Sequence, residues 1–314
     1  MHPSTTYRHT PDPGPNARLS FRSLDGVLDS RHRMTRAPAR VMALRAVFRT
    51  VGSVAPEVAA RWAETLLCTP PRHEPRSGDE AFLATGRRFS VRCDGQELAA
   101  WDWGAGRTVI LVHGWGSRAG RFSVMGRILL EHGYHVVAYD APAHGRSTGR
   151  LASLIEFARA LRAVAENVGP VWGLVGHSLG GAATVLALRD GLCAERAVLI
   201  AAPADVTRFS TAFADHLRIP QPARVAMRRN LETRLDARWD ELHIPTIVRR
   251  FRTAALLVHD RADPDVPFRH AEEIAAAWPG ARVVATEGLG HRAILRDPTA
   301  VRAAARFLSE APVR

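Results

Sequence analysis

The stretch that decides the fold of this chain is Val171 to Ala183, which reads Val-Trp-Gly-Leu-Val-Gly-His-Ser-Leu-Gly-Gly-Ala-Ala. An apolar run typical of a buried strand leads into Ser178, and a helical pattern begins directly after it. So sharp a turn forces the serine into an unfavourable backbone conformation and holds its hydroxyl at the carboxyl edge of the sheet. Gly176 and Gly180 lie two residues to either side, where larger side chains would collide as strand and helix pass. The stretch predicts a Gly-x-Ser-x-Gly nucleophile elbow.

A serine hydroxyl is a weak nucleophile at neutral pH, so the elbow predicts a histidine and an acid further along the chain. His291 follows the last predicted strand on a loop flanked by glycines. The strand before it ends in a segment that holds Asp260, Asp263 and Asp265. Both loops follow the carboxyl ends of strands, where an open α/β sheet binds its ligands. The sequence thus offers one histidine and three candidate acids to the serine.

The oxyanion of an acyl-transfer reaction needs hydrogen-bond donors that are in place before it forms. The backbone N–H of Leu179, at the start of the helix after the elbow, supplies one. The loop His113-Gly114-Trp115-Gly116 follows an earlier predicted strand and indicates the N–H of Trp115 as the second. We therefore predict an oxyanion hole made of the Trp115 and Leu179 amides.

The composition is strongly basic without a nucleic-acid pattern. The 314 residues carry a formal net charge of +12, and all 43 basic residues are arginine. The arginines are scattered along the chain and lack interleaved aromatic residues, so neither nucleic-acid binding nor an anionic substrate follows from their number. The three cysteines, Cys68, Cys93 and Cys193, are odd in number and lack metal-ligand spacing, which argues against a disulfide framework. We expect small buried or half-buried side chains at these positions, and neither a metal nor a cofactor.

The amino-terminal part divides into a tail and a helical segment. Residues 1–38 contain five prolines and no sustained periodicity, which predicts a flexible tail. The first 20 residues lack the apolar core of a signal peptide, and no run approaches the roughly 20 apolar residues that span a bilayer. We therefore expect a cytoplasmic protein with no stable membrane insertion. Residues 39–72 predict two amphipathic helices that pack on the core. Their predicted apolar faces are Val41, Leu44, Val47 and Phe48 in the first helix, and Val58, Trp62, Leu66 and Leu67 in the second.

The rest of the chain alternates between strands and helices. Asp94-Gly95 indicates a hairpin between the first two strands, so the sheet should open with an antiparallel pair. The later strands are short apolar runs typical of strands covered on both faces. Strands are predicted at 88–93, 98–103, 108–112, 134–139, 171–177, 197–201, 254–258 and 281–285. Ser153 with Glu156, and Asp297 with Pro298, are typical starts of helices.

A long connection interrupts this alternation. About 50 residues separate the strand that ends at Ala201 from the strand that begins at Ala254, far more than the usual two to six. The segment is charged and shows no strand pattern. We interpret residues 204–250 as a helical cap inserted into a core formed by residues 80–203 and 251–314.

Four motifs in order carry a resemblance to a known family. They are His113-Gly114-Trp115-Gly116, Asp140-Ala-Pro-Ala-His144-Gly145-Arg-Ser147, the elbow, and the acid and histidine loops. Over about residues 80 to 310 the chain resembles the α/β-hydrolase-fold serine hydrolases of the esterase, lipase and serine-aminopeptidase-like group. This resemblance implies an α/β-hydrolase fold, a mostly parallel twisted sheet flanked by helices with an inserted helical cap. It also implies a triad in the order Ser178, acid, His291.

The resemblance favours one acid. Asp263 has the family spacing, three residues before Val266-Pro267, whereas Asp260 stands where relatives usually carry glycine. We interpret Asp260 as a loop-capping residue and Asp265 as a residue at the entry of a helix. Asp205 occupies a rarer family position for the acid.

Four other histidines lie near the motifs and are not predicted to act as the base. His144 belongs to a loop that the family uses structurally. His177 lies inside the elbow but points away from the serine if the turn is regular. His113 and His259 are interpreted, like His177, as hydrogen-bonded packing residues.

The predicted function is that of a cofactor-independent serine hydrolase acting on a small-molecule carboxylic ester, thioester or amide. An acyltransferase and a carbon–carbon hydrolase would use the same triad, and a ligand-binding protein could keep the fold without the reaction. A dehalogenase or epoxide hydrolase of this fold is disfavoured, because its nucleophile would be an aspartate where Ser178 stands. Neither the substrate nor the oligomeric state follows from the sequence.

Overall fold

The computed structural model describes residues 39–311 as one eight-stranded sheet with helices on both faces. The strands in chain order are β1 (Arg87–Cys93), β2 (Gln96–Trp103), β3 (Thr108–Val112), β4 (His135–Tyr139), β5 (Val171–His177), β6 (Arg196–Ile200), β7 (Ala254–Asp260) and β8 (Arg282–Thr286). Their order across the sheet is β1-β2-β4-β3-β5-β6-β7-β8. β1 and β2 pair antiparallel, as do β2 and β4, and every later pairing is parallel. The α/β-hydrolase fold is confirmed. The predicted tail, residues 1–38, lies outside the described residues.

The helices within the same range follow the predicted alternation. They are α1 (Ala39–Val54), α2 (Pro56–Cys68), α3 (Ser77–Leu83), α4 (Ser123–Glu131), α5 (Leu154–Val168), α6 (Leu179–Arg189), α7 (Thr207–His216), α8 (Gln221–Leu235), α9 (Ile244–Val248), α10 (Arg269–Ala277), α11 (Gly290–Ala293) and α12 (Pro298–Ser309). Three 3₁₀ turns lie at Ala119–Phe122, Trp239–Leu242 and Ile294–Arg296. Between β6 and β7 lie α7, α8, the second 3₁₀ turn and α9, which we call the β6–β7 insertion, residues 204–250. No helix in the described part of the chain is long and apolar enough to cross a membrane.

Local signals in the sequence set several of these boundaries. Asp94 and Gly95 both have positive φ, 48° and 75°, which is what a two-residue hairpin requires, and the predicted turn is confirmed. The Ser153 hydroxyl accepts a hydrogen bond from the Glu156 N–H at 3.3 Å and caps α5. Asp297 caps α12 in the same way, accepting from the Ala300 N–H at 2.8 Å.

Four predictions about burial are wrong. The second apolar face is only partly directed at the core, because Trp62 and Leu66 are 47% and 42% exposed, while Val58 and Leu67 are half-buried. Helix α2 packs on its neighbours mainly through the fully buried Ala59, Ala60 and Ala63. In the first helix, Val41 and Phe48 are buried as predicted but Val47 is 43% exposed.

Strand β8 and Cys193 account for the other two errors. β8 is half-exposed because it lies at the edge of the sheet, so it is not covered on both faces. Cys68 is buried and Cys93 half-buried, but Cys193 is exposed because it lies on the loop between α6 and β6. All three thiols are free.

Candidate active site

The elbow holds Ser178 between β5 and α6 in a strained backbone conformation. Its φ and ψ are 53° and −122°, a region that residues with a side chain rarely adopt. The Ser178 N–H donates to the Ile200 carbonyl at 2.8 Å and thereby ties the turn to β6. A Cβ on Gly176 would lie 2.5 Å from the Gly180 carbonyl oxygen, and one on Gly180 would lie 2.2 Å from that of Val112. Strand, turn and helix can therefore meet only if both positions are glycine.

Asp263 and His291 form a buried pair at the carboxyl ends of β7 and β8. The two atoms His291 Nδ1 and Asp263 Oδ2 are 2.8 Å apart. The other carboxylate oxygen, Oδ1, accepts the backbone N–H groups of Asp265 and Val266 at 2.8 and 2.9 Å. The Asp263 side chain is fully buried and His291 is 9% exposed. This geometry fixes the carboxylate and leaves Nε2 as the histidine nitrogen available for proton transfer.

The other acidic side chains lie in different surroundings. Asp260 is fully buried and accepts from the Ala262 N–H, the Thr286 hydroxyl and the Leu289 N–H at 2.8 to 3.0 Å. Its pKa lies below the ordinary value because these donors outweigh the effect of burial. Asp260 thus holds the loop that leads to the histidine, but it does not contact the imidazole.

Asp265 and Asp205 are also separate from the pair. Asp265 is 5% exposed and lines the pocket beside Ser178. Asp205 accepts from both the N–H and the hydroxyl of Thr207 and pairs with Arg208 at 3.2 Å, at the start of the β6–β7 insertion. Of the four aspartates considered from the sequence, Asp263 is the one hydrogen-bonded to His291.

Two neutral histidines support the loop predicted to form the oxyanion hole. His113 Nδ1 donates to the Gly114 carbonyl at 2.7 Å, and its Nε2 accepts the Ala141 N–H at 2.9 Å. His144 Nδ1 donates to the Pro142 carbonyl, and its Nε2 accepts the Gly116 N–H at 3.0 Å. Burial lowers the pKa of His144 to about 4 and that of His113 well below its ordinary value. Each ring therefore stays neutral and keeps one nitrogen as an acceptor for the backbone.

The predicted oxyanion donors lie next to the serine. Leu179 is the first residue of α6, so its N–H is among those that a helix leaves without an intrahelical partner. Trp115 lies on the supported loop, and both residues line a pocket together with Ser178. A Cβ on Gly114 would lie 3.0 Å from the Ser178 Cβ, so this loop passes directly over the elbow.

The sequence interprets His177 as a hydrogen-bonded packing residue, and the structure places it against His291. His177 Nε2 donates to the His291 backbone carbonyl at 2.8 Å, and the two ring centroids are 4.8 Å apart. Burial lowers the pKa of His177 well below its ordinary value, so the ring is neutral. It therefore ties the elbow to the loop that carries His291. The Gly-x-Ser-x-Gly pattern allows any residue here, so only the contact reveals this role.

His259 supports the acid loop in a comparable way. Its Nε2 donates to the Val266 carbonyl at 2.7 Å and lies 3.5 Å from Asp263 Oδ2. Burial lowers its pKa. The two supporting histidines therefore hold the two loops that present the Asp263–His291 pair.

Two pockets of different character meet at Ser178. Trp115 and Phe209 line both of them, together with the serine. The first, which we call the apolar pocket, lies under the β6–β7 insertion and against the end of α2. Its apolar walls include Leu67, Leu154, Ile155, Val206, Leu231, Leu235 and Leu242.

The second, which we call the basic pocket, lies on the other side of the serine. Its lining includes His291 itself and three guanidinium groups. The charged and titratable residues in this wall, apart from His177 and His291, are His73, Arg121, Arg292, Arg296 and Asp265. Within residues 39–311, no group of three or more His, Cys, Asp or Glu side chains is arranged to hold a metal ion.

The fold agrees with the comparisons with known proteins. A model of the Alpha/beta hydrolase family matches residues 109–304, more than half of the chain, and the chain belongs to this family. It is similar to the human monoglyceride lipase, with 28% identity over 172 residues, and to a non-heme haloperoxidase of Rhodococcus erythropolis, with 34% identity over 96 residues. These matches cover 49% and 30% of this chain, and 56% and 35% of the lipase and the haloperoxidase. The chain thus spans about half or less of the curated relatives it matches.

A solved structure extends the likeness to the whole core. An esterase from Exiguobacterium antarcticum superposes with a TM-score of 0.56 at 18% identity, over 71% of this chain and all of that one. At this identity the likeness shows the fold. The family model places the chain among the α/β hydrolases, and the names of the similar proteins, a lipase, an esterase and a haloperoxidase, do not agree on one substrate.

Proposed function

We propose that the protein is a serine hydrolase that cleaves a carboxylic ester, with thioesters and amides as related substrates, through an acyl-enzyme. The observation that carries the proposal is the Asp263–His291 hydrogen bond of 2.8 Å, in a pocket that His291 shares with the strained Ser178. A serine held on such a turn, beside a histidine oriented by a buried carboxylate, is the arrangement that acyl transfer requires.

The reaction follows from the positions of these groups. His291 Nε2 takes the proton of the Ser178 hydroxyl as Oγ attacks the carbonyl carbon of the ester. The oxyanion that forms accepts hydrogen bonds from the Leu179 and Trp115 amides. His291 then gives its proton to the alkoxy oxygen as the C–O bond breaks, which releases the alcohol. Water, deprotonated by His291, attacks the acyl-enzyme and frees the acid and Ser178.

The two pockets suggest which part of the substrate lies where. The leaving alcohol must lie within reach of His291, which lines the basic pocket and not the apolar one. The acyl chain then occupies the apolar pocket, where aliphatic side chains from α5, α8 and the end of α2 would remove it from water. We propose accordingly that the β6–β7 insertion acts as the cap of this site.

The names of the relatives favour an ester over the alternatives that share the triad. One relative is a lipase and one structural neighbour an esterase. The apolar pocket fits an acyl chain. Five other hydroxyl or thiol side chains line the two pockets, but none of them stands on a strained turn as Ser178 does: Ser117, Ser153, Ser210, Thr207 and Cys68.

The test uses the full chain and two independent readouts. Wild type should hydrolyse p-nitrophenyl hexanoate and be labelled by a fluorophosphonate, and Ser178→Ala should lose both. Ser153→Ala is the matched control, since Ser153 lines the same apolar pocket and caps α5. Equal hydrolysis or equal labelling of wild type and Ser178→Ala would contradict the proposal.

A further inference from the structure

The basic pocket holds more positive charge than its own acids neutralise. Arg296 is paired with the buried Asp79 at 2.7 Å, and Arg121 lies 3.8 Å from the same carboxylate. Arg292 follows the catalytic histidine in sequence and is exposed, and within the described residues it has no acidic or hydrogen-bonding partner. Asp265 is the one carboxylate in the wall of the pocket.

The neighbouring ionisable groups respond to this excess. Arg121 has a pKa below its ordinary value, first because of burial and then because of Arg76, with Arg296 and Arg292 adding to the effect and Asp79 opposing it. His73 has a lowered pKa, first from burial and then from Arg292 and Arg121. An anion placed among these groups would relieve their mutual repulsion.

The guanidinium of Arg292, and that of Arg121 with its long contact to Asp79, are also the kind of donor that an oxyanion prefers. Arginine presents planar N–H groups that match the oxygens of carboxylates and phosphates. The wall of the apolar pocket contains no charged residue, so the two sides of Ser178 differ in charge as well as in polarity. The excess is therefore local to the side on which His291 would protonate the leaving group.

We propose that the basic pocket is an anion subsite, in which Arg292 and Arg121 bind a carboxylate or phosphate carried by the alcohol part of the ester. The preferred substrate is then an ester with an apolar acyl chain and an anionic alcohol. This assignment rests on the proposed function, because it places the alcohol on the side of His291. Arg296, neutralised by Asp79, contributes to the wall and not to the binding contact.

The decisive comparison uses substrates that differ in the charge of the alcohol. They are the hexanoyl esters of 4-hydroxybenzamide (neutral), 4-hydroxybenzoate (carboxylate) and 4-hydroxyphenyl phosphate (phosphate). Wild type should show kcat/KM values about tenfold higher for one or both anionic esters than for the neutral one. The two anionic esters distinguish the carboxylate from the phosphate. Equal values for all three would overturn the subsite.

Arg292→Gln is the variant of choice, because an exposed side chain without a partner can be replaced without harm to the fold. It should reduce the anionic-to-neutral ratio of kcat/KM about tenfold, and Arg121→Gln should reduce it further. Arg302→Gln on α12 is the matched control, since it removes the same charge from an exposed position outside the pocket and should leave the ratio unchanged. If Arg292→Gln and Arg302→Gln changed the anionic-to-neutral ratio of kcat/KM equally, only the net charge of the protein would matter, and the subsite would be refuted.

A second readout does not depend on turnover. Free 4-hydroxybenzoate or 4-hydroxyphenyl phosphate should slow fluorophosphonate labelling of Ser178 at concentrations where 4-hydroxybenzamide does not, and Arg292→Gln should abolish this protection. Labelling that is lost in Ser178→Ala but is never slowed by the anions would refute the subsite and leave the proposed function standing. Labelling unaffected by Ser178→Ala would refute the proposed function instead.

Discussion

The two pockets that meet at Ser178 are opposites in composition and in origin. The apolar pocket is walled by aliphatic side chains from the β6–β7 insertion, α5 and α2, whereas the basic pocket is walled by loops and helix ends that carry arginine. His291 belongs to the basic side and Leu179 to the apolar side, and Trp115 and Phe209 are shared. In the proposed reaction the two halves of a substrate would therefore meet different chemistry on either side of one serine.

The largest expected effect is one that strikes both pockets equally. Asp263→Asn should lower kcat about 10⁴-fold for neutral and anionic esters alike, because the amide cannot orient His291 Nδ1–H or stabilise the imidazolium. Steady-state kinetics on both ester classes measure this. A loss confined to one class would break the idea that the two pockets share one catalytic centre.

Asp260→Asn is the matched control for the acid. It should reduce turnover far less than Asp263→Asn does. The melting temperature should fall, because the new NH₂ group would face one of the N–H or O–H donors whose hydrogen bonds Asp260 accepts in the wild type. If a folded Asp260→Asn protein lost as much turnover as Asp263→Asn, the two aspartates would have to exchange roles.

The next prediction concerns His177, which holds the loop of the proposed base His291. His177→Leu should lower kcat about tenfold to a hundredfold, because it strands the His291 carbonyl and lets the imidazole shift. His177→Gln can still donate to that carbonyl and should recover most of the loss. KM for either ester class should change little although His177 lines the basic pocket. A large change in KM with normal kcat would mean that His177 acts on substrate binding and not through the His291 loop.

The core of the site could be predicted because its constraints are local. Gly176 is demanded by a contact within the elbow and Gly180 by the neighbouring end of β3, both recognisable from the Gly-x-Ser-x-Gly pattern, and Asp263 and His291 follow strands whose pairing places them at a common edge. The contact between His177 and the His291 carbonyl joins positions 114 residues apart, and nothing in the pattern around either residue signals it. Local sequence therefore indicated which residues meet at the candidate site, but not which residues hold them in place.

The contrast between the pockets could not be predicted from the sequence for a related reason. Arginine is spread over the whole chain, so Arg121 and Arg292 do not stand out until folding brings them to one wall without an equal number of acids. The apolar face of α2 was misjudged because size outweighed hydrophobicity: alanines allow close packing, and Trp62 and Leu66 are left at the surface. Packing against distant elements decided both outcomes.

A smaller effect should appear in the apolar pocket alone. Val206 is half-buried and lines this pocket but not the basic one, so Val206→Trp should fill it without touching the catalytic groups. We expect kcat/KM for decanoyl esters to fall about tenfold relative to acetyl esters, since each buried methylene is worth roughly 0.8 kcal/mol. The ratio of kcat/KM for anionic esters to kcat/KM for neutral esters, which depends on Arg292, should stay as in wild type. A change in that ratio would show that the pockets are not independent.

The smallest effect on the difference between the pockets should come from pH. Acid protonates buried histidines, among them His113 and His144, which hold the 113–116 loop that borders both pockets. Burial lowers the pKa of His144 and of His270 to about 4 and that of His113 and His177 well below the ordinary value near 6.5. Below pH 6.5 the unfolded chain therefore binds more protons at these histidines than the folded chain does. The contribution of the histidines to the free energy of unfolding is complete above pH 6.5 and is lost as the pH falls toward 4. The melting temperature should fall between pH 7 and pH 5, a window above the titration of ordinary carboxylates, while the preference for the 4-hydroxybenzoate ester over the neutral ester stays nearly constant. His144→Gln should melt lower at pH 7, because it loses the imidazole that accepts the Gly116 N–H and donates to the Pro142 carbonyl, and it should show a smaller decrease on acidification. An undiminished decrease would mean that His144 is not among the groups whose protonation opens the fold.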